Sequence, residues 1–98
     1  MATIMLMHWP EATKEIYEAA RKQVNWEKDR APGGKFHVAW FANDGLHVLD
    51  VWDSPQDFQR FAETRLMPVT QKLGLKTQPK VEFLSPHAIF APDAKQFA

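Results

Sequence analysis

Residues 45–68, GLHVLDVWDSPQDFQRFAETRLMP, run a strand directly into a capped helix, and residue chemistry sets both boundaries. Leu46 to Trp52 is rich in β-branched, aromatic and leucine side chains, which suit a pleated and at least half-buried surface. Asp53-Ser54-Pro55 ends the strand. Ser54 is placed to cap the helix by accepting a hydrogen bond from an orphan backbone N–H. Pro55 suits the first helical position, and Asp57 stands where a capping-box carboxylate belongs. Beyond the cap, Phe58, Phe61, Ala62, Leu66, Val69 and Leu73 recur at helical spacing and form one apolar stripe, which has to lie on another element. Pro68 is expected to break or kink this helix before a Gly74 C-cap.

The rest of the chain supplies that element. Thr3 to Met7 reads as a strand that is apolar at every position after Thr3, so both its faces are covered, and Pro10 ends it. Thr13 is placed to cap a helix through about Trp26, with Ile16, Tyr17, Ala20 and Val24 inward and a Glu18–Lys22 ion pair outward. Asp29 to Gly34 is a loop by its turn chemistry. Lys35 to Ala42 and Leu46 to Trp52 flank Asn43-Asp44-Gly45, a strong hairpin signal. Val81 to Leu84 and His87 to Phe90 form a last strand, interrupted at Ser85-Pro86 by a bulge or edge position. The order βαββαβ gives an α+β, ferredoxin-like fold: a four-stranded antiparallel sheet with two helices on one face. Residues 1–90 make one domain, and residues 91–98 a C-terminal tail.

Both faces of that sheet carry large apolar groups. Phe36, Val38 and Trp40 alternate with His37, Ala39 and Phe41, and Leu49 and Val51 with Val48 and Trp52. Two helices cover only one face. At about 25 cal/mol per Å², each large side chain left wet forfeits roughly 1.5–3 kcal/mol, so a homodimer packed sheet to sheet is the simplest solution.

Composition excludes several function classes. Ninety-eight residues suffice for one core and leave little room for a large ligand cavity. Twelve basic residues balance twelve acidic ones, with no Lys/Arg run to follow a phosphate backbone or an anionic membrane. A nucleic-acid partner is therefore disfavoured. The GKFHVAWF run superficially resembles the aromatic sheet motif of RNA-recognition domains, but it lies on the second strand where that motif lies on the third. With no cysteine, disulfides, thiolate metal sites and cysteine nucleophiles are all absent. The start has no basic leader and no stretch is apolar enough to span a bilayer, so a cytoplasmic protein without membrane contact is expected.

The run VWDSPQDFQRFAETRLMP, preceded by the GGKFHVAWF strand and the PEATKEIYEA helix start, resembles the dimeric α+β-barrel proteins related to the antibiotic-biosynthesis monooxygenases. The likeness extends to about Phe90, and Trp52, Ser54, Phe58 and Phe61 match that superfamily's tryptophan, serine cap and helix phenylalanines. It implies a dimeric barrel and, among the superfamily's activities, cofactor-independent oxygenation of phenolic compounds. Members of its haem-degrading branch carry a tryptophan at the position of Phe61 and an iron-binding histidine at that of Gln71. Neither is present here, which speaks against haem degradation by that mechanism.

Candidate chemistry centres on His37, mid-strand among apolar neighbours, where a neutral imidazole can take a proton from a phenol or enol near pH 7. Asp50 assists only in some hairpin registers. A two-residue Asp44-Gly45 turn pairs His37 with Trp52 and puts Asp50 on its face, whereas a three-residue loop moves both to the opposite face. Tyr17 and His87 are candidate polar contacts to a ligand, and Trp52 and Phe61 candidate walls. Each also has an ordinary packing role, and Arg65 has that of an exposed ion pair or an anion anchor. His8, His37, His47 and His87 lack the spacing of a metal site, and Gly33-Gly34 precede a strand rather than a helix, so neither metal nor cofactor is expected. The expected function is binding of a small aromatic or enolic molecule, with monooxygenase-like chemistry free of cofactor. The alternative is a non-catalytic dimeric ligand-binding or stress-related module.

Overall fold

A computed structural model describes residues 2–93 of the chain. The strands are β1 (Thr3–Trp9), β2 (Gly34–Ala42), β3 (Gly45–Trp52) and β4 (Lys80–Leu84). The helices are α1 (Lys14–Val24), α2 (Pro55–Phe61) and α3 (Met67–Lys72), with a π-helical turn, Ala62–Leu66, joining the last two into one composite helix. The strands form a four-stranded sheet in the order β2-β3-β1-β4, antiparallel at every pairing. This is the ferredoxin-like α+β fold expected from the element order.

The helices cover one sheet face. Cross-strand partners share a face, so Thr3, Met5, Met7 and Trp9 of β1 stand beside Trp52, Asp50, Val48 and Leu46 of β3, and all are buried. Phe58 and Leu75 join this core, and Ile16, Phe61 and Leu66 pack against it.

Capping agrees closely with the sequence. Thr13 Oγ1 accepts from the Ile16 N–H at 3.2 Å, and Ser54 Oγ accepts from the Asp57 N–H at 3.2 Å. The Asp57 carboxylate takes a 3.0 Å hydrogen bond from the Ser54 hydroxyl, closing the cap through side chains. Glu18 pairs with Arg21 rather than Lys22, because Arg21 also reaches Glu27 at 2.7 Å and is drawn to that side of the helix.

Pro68 does not break the second helix. Proline lacks an N–H and its ring collides with the carbonyl four residues back; the π-helical turn widens the backbone just ahead of it and lets the helix continue. The wider turn also rotates the residues beyond it, so Thr70, four residues after Leu66, is buried, while Val69 and Leu73 of the expected stripe are only half-buried. The helix ends at Gly74 (φ +98°), where the Gly74 N–H bonds to Gln71 O and the Leu75 N–H to Thr70 O, both at 3.1 Å.

Two strand expectations need correction. Ala42 pairs with Gly45 across an Asn43-Asp44 turn, a register outside both alternatives drawn from the sequence. Within the hairpin only Gly45 takes a positive φ (+106°), and a Cβ there would lie 2.6 Å from Pro10 Cα, so the hairpin closes against the end of β1 where only glycine fits. The last strand stops at Leu84, and His87 to Phe90 are not strand. Leu84 already pairs with Ile4 at the start of β1, so the chain beyond has no partner, and Pro86 offers no donor. The tail expected over 91–98 lies, from residue 94 onward, outside the described residues. Among those described, no helix is long and apolar enough to cross a membrane.

Candidate active site

A cavity of about 250 Å³ opens between the inner sheet face, α1 and the start of the composite helix. Its wall is mostly apolar, including Trp9, Ile16, Trp52, Phe58 and Phe61, while Tyr17, His37 and Asp50 bring polar atoms into it. A second recess, by Phe58, Met67 and Phe83, includes no histidine and no tyrosine.

The register builds the polar group. His37 and Asp50 are direct cross-strand partners, so their side chains rise from the same face of the sheet. His37 Nδ1 lies 2.7 Å from Asp50 Oδ1, and Asp50 Oδ2 accepts from the Trp52 indole N–H at 3.0 Å. From α1, the Tyr17 hydroxyl reaches His37 Nε2 at 2.7 Å. Asp50 is only 6% exposed, yet both its oxygens are hydrogen-bonded, and among the described residues no buried side-chain nitrogen or oxygen lacks a partner.

Proton positions are set by this connectivity. The Asp50 carboxylate accepts, so Nδ1 of His37 carries a proton; in the neutral ring Nε2 is then the acceptor, and the Tyr17 O–H donates to it. Burial pushes the Tyr17 phenol up to about 12, so Tyr17 holds its proton at neutral pH. The outcome is a chain from Asp50 through His37 to Tyr17, with the basic imidazole nitrogen one hydroxyl away from the cavity.

Of the residues singled out in the sequence, His37, Tyr17, Trp52 and Phe61 converge here. His87 does not; it is exposed, beyond the end of β4, and is not among the cavity's lining residues. Arg65 is also elsewhere. It donates to Val24 O and Asp29 O at 2.9 and 2.7 Å and sits over the Phe61 ring at 5.4 Å, which ties the end of α1 to the composite helix.

Trp26 is a wall residue that the sequence did not single out. The helix expected to run through it stops at Val24, because Asn25 turns left-handed (φ 62°, ψ 39°). That turn brings the Trp26 ring to 5.4 Å from His37 and 5.8 Å from Tyr17. The available signal was Asn25 itself, since asparagine tolerates the left-handed conformation that ends helices.

No family model matches the chain, and no curated protein matches it. Solved structures do. SnoaB, a cofactor-independent oxygenase from Streptomyces nogalater, is similar over 94% of this chain and 97% of its own, with a TM-score of 0.61 and 17% identity. A monooxygenase from the gene ActVA-Orf6 of Streptomyces coelicolor, solved in complex with nanaomycin D, is similar over 94% and 92%, with a TM-score of 0.55 and 22% identity. A protein of unknown function from Nitrosomonas europaea is similar over 93% of both chains, with a TM-score of 0.64 and 13% identity. At such identities the likeness speaks for the fold, and the activities belong to those proteins. The chain has the fold of the antibiotic-biosynthesis-monooxygenase-like proteins, as its sequence resemblance implied.

Proposed function

We propose that the cavity binds a small aromatic or enolic molecule and takes a proton from it, in the manner of a cofactor-independent monooxygenase. One observation carries this reading: the hydrogen-bonded chain Asp50–His37–Tyr17 lies on the wall of a largely apolar cavity. A phenolic hydroxyl in the cavity donates to the Tyr17 oxygen. Its proton moves onto Tyr17 as Tyr17's own proton moves onto His37 Nε2, leaving a phenolate and an imidazolium paired with Asp50. A positioned base of this kind contributes roughly 10²–10⁴-fold.

The phenolate is then the electron donor to dioxygen. A bond forms between a ring carbon and one oxygen atom, and the O–O bond breaks. One oxygen stays as a quinone carbonyl, and the other leaves as water with the phenol proton and the ring hydrogen. Electrons and atoms balance without an outside reductant. Trp52, Phe61 and Trp26 would keep bulk water from the reacting ring.

Oxygen uptake with naphthol- and anthrone-type compounds tests the reading. His37→Ala should lower turnover by about 10²-fold or more while leaving binding largely intact. Unchanged turnover in that variant removes His37 from the role. Ligand uptake with no turnover in the wild-type protein would favour the non-catalytic binding module instead.

The same proposal includes a second copy of the chain on the outer sheet face. There the cross-strand rows read Phe36, Val51, Ile4, Leu84, then Val38, Leu49, Leu6, Glu82. Phe36, Val38 and Leu84 are each at least 40% exposed. A continuous apolar field of this kind on a sheet supports self-association in a two-fold, face-to-face arrangement.

A further inference from the structure

The sheet face opposite the cavity holds a cluster that local sequence spacing does not reveal. His8 of β1 and His47 of β3 are direct cross-strand partners, with rings stacked 4.4 Å apart and 12° from parallel. The hairpin turn delivers Asp44 to the same point. Its Oδ1 lies 2.7 Å from His47 Nε2, and its Oδ2 lies 3.4 Å from His8 Nε2. One donor atom from each of the three residues lies within 4.8 Å of the others.

We propose that His8, His47 and Asp44 form a binding site for a late first-row divalent cation such as Zn²⁺. Two imidazole nitrogens and a carboxylate are the ligand set such ions favour, with the remaining positions left to water. Donors of a tetrahedral Zn²⁺ at about 2.0–2.1 Å stand roughly 3.3 Å apart, so the two imidazoles have to leave their parallel stack and tilt toward one another for both ε nitrogens to reach one ion. Both ε nitrogens already face Asp44; His8 Nε2 is 2.9 Å from the Asp44 carbonyl oxygen. Binding moves each ring's proton to Nδ1, for which no protein partner occurs among the described residues.

The donors have close neighbours on both sides. Gly45, next to Asp44, is packed against Pro10, and Trp40 stacks on the far side of His47 at 5.4 Å and 11°. Lys80, the cross-strand partner of His8 on β4, is the cation that opposes the site by register. In the single chain the three side chains are 31%, 24% and 54% exposed, and they stand at the hairpin end of the outer face, beyond the apolar rows proposed for self-association.

The test is a titration of the intact chain with Zn²⁺ by calorimetry and with Co²⁺ by visible absorption, at neutral pH. One ion per chain is expected. His8→Ala, His47→Ala and Asp44→Asn should each weaken binding by about tenfold or more, and His87→Ala should leave it unchanged. Circular dichroism of each variant confirms that the fold is kept. No stoichiometric uptake, or wild-type affinity in both His8→Ala and His47→Ala, overturns the proposal.

Discussion

His37 and Asp50 are partners twice over: they face each other across the β2–β3 pairing, and His37 Nδ1 lies 2.7 Å from Asp50 Oδ1. The second Asp50 oxygen holds the Trp52 indole, so one buried carboxylate positions both a candidate base and a candidate wall. Asp50→Ala strips the partner from both donors and should lower stability by about 1–3 kcal/mol, read by chemical denaturation. Asp50→Asn keeps one acceptor and should lose less. If Asp50→Ala matched the wild type, the carboxylate would not be organising the site.

Tyr17 is the chain's only tyrosine, so tyrosinate absorbance reports a single group. Its folded-state value is pushed up to about 12 by burial, while the unfolded chain titrates near about 10. Linkage sets the sign: the raised folded value favours the native state fully below the unfolded value, and that contribution is lost as pH rises from 10 toward 12. A spectrophotometric titration of the native protein should show the late midpoint, and one that coincides with the unfolded control would contradict the burial assigned to this phenol.

Gly45→Ala tests the hairpin. A methyl group there meets Pro10 Cα at 2.6 Å and occupies φ +106°, so the turn or the end of β1 must move. The expected cost is about 1–3 kcal/mol or more, seen as a lower melting temperature. An alanine variant as stable as the wild type would mean that Gly45 is not pinned.

The sequence made the scaffold legible and the site only partly so. Ser54, Pro55, Thr13 and Gly74 encode their boundaries through local hydrogen-bonding chemistry, which neighbouring residues determine. The hairpin register was not readable in this way, because it depends on the contact between Gly45 and Pro10, residues far apart in the chain. That register decides whether Asp50 stands beside His37, so the proton chain became visible only with the sheet assembled. The π-helical turn was likewise hidden; Pro68 signalled a disturbance but not its form, and the rotation it imposes put Thr70 in the buried position. His87 misled because a strand was continued past the point where β1 could pair with it.

The outer sheet face predicts the assembly state. Val38 sits in the middle of the apolar rows and is 40% exposed in the single chain, so Val38→Glu leaves the chain's own core intact. Sedimentation should give two chains per particle for the wild type and one for the variant, since a charge buried at a sheet-to-sheet contact is strongly unfavourable. A wild-type particle of one chain would contradict the sheet-to-sheet assembly.

In the proposed reaction His37, acting through Tyr17, draws a proton from a hydroxyl held in the cavity, and the ionisation of a bound chromogenic phenol reads this directly. Para-nitrophenol changes absorbance when it ionises, and an apolar cavity alone would favour its neutral form. Held just below its own midpoint in solution, the probe should become more ionised on binding the wild-type protein and less ionised on binding His37→Ala. A bound probe that is no more ionised than the free one, or equally ionised in both proteins, would remove His37 from that role.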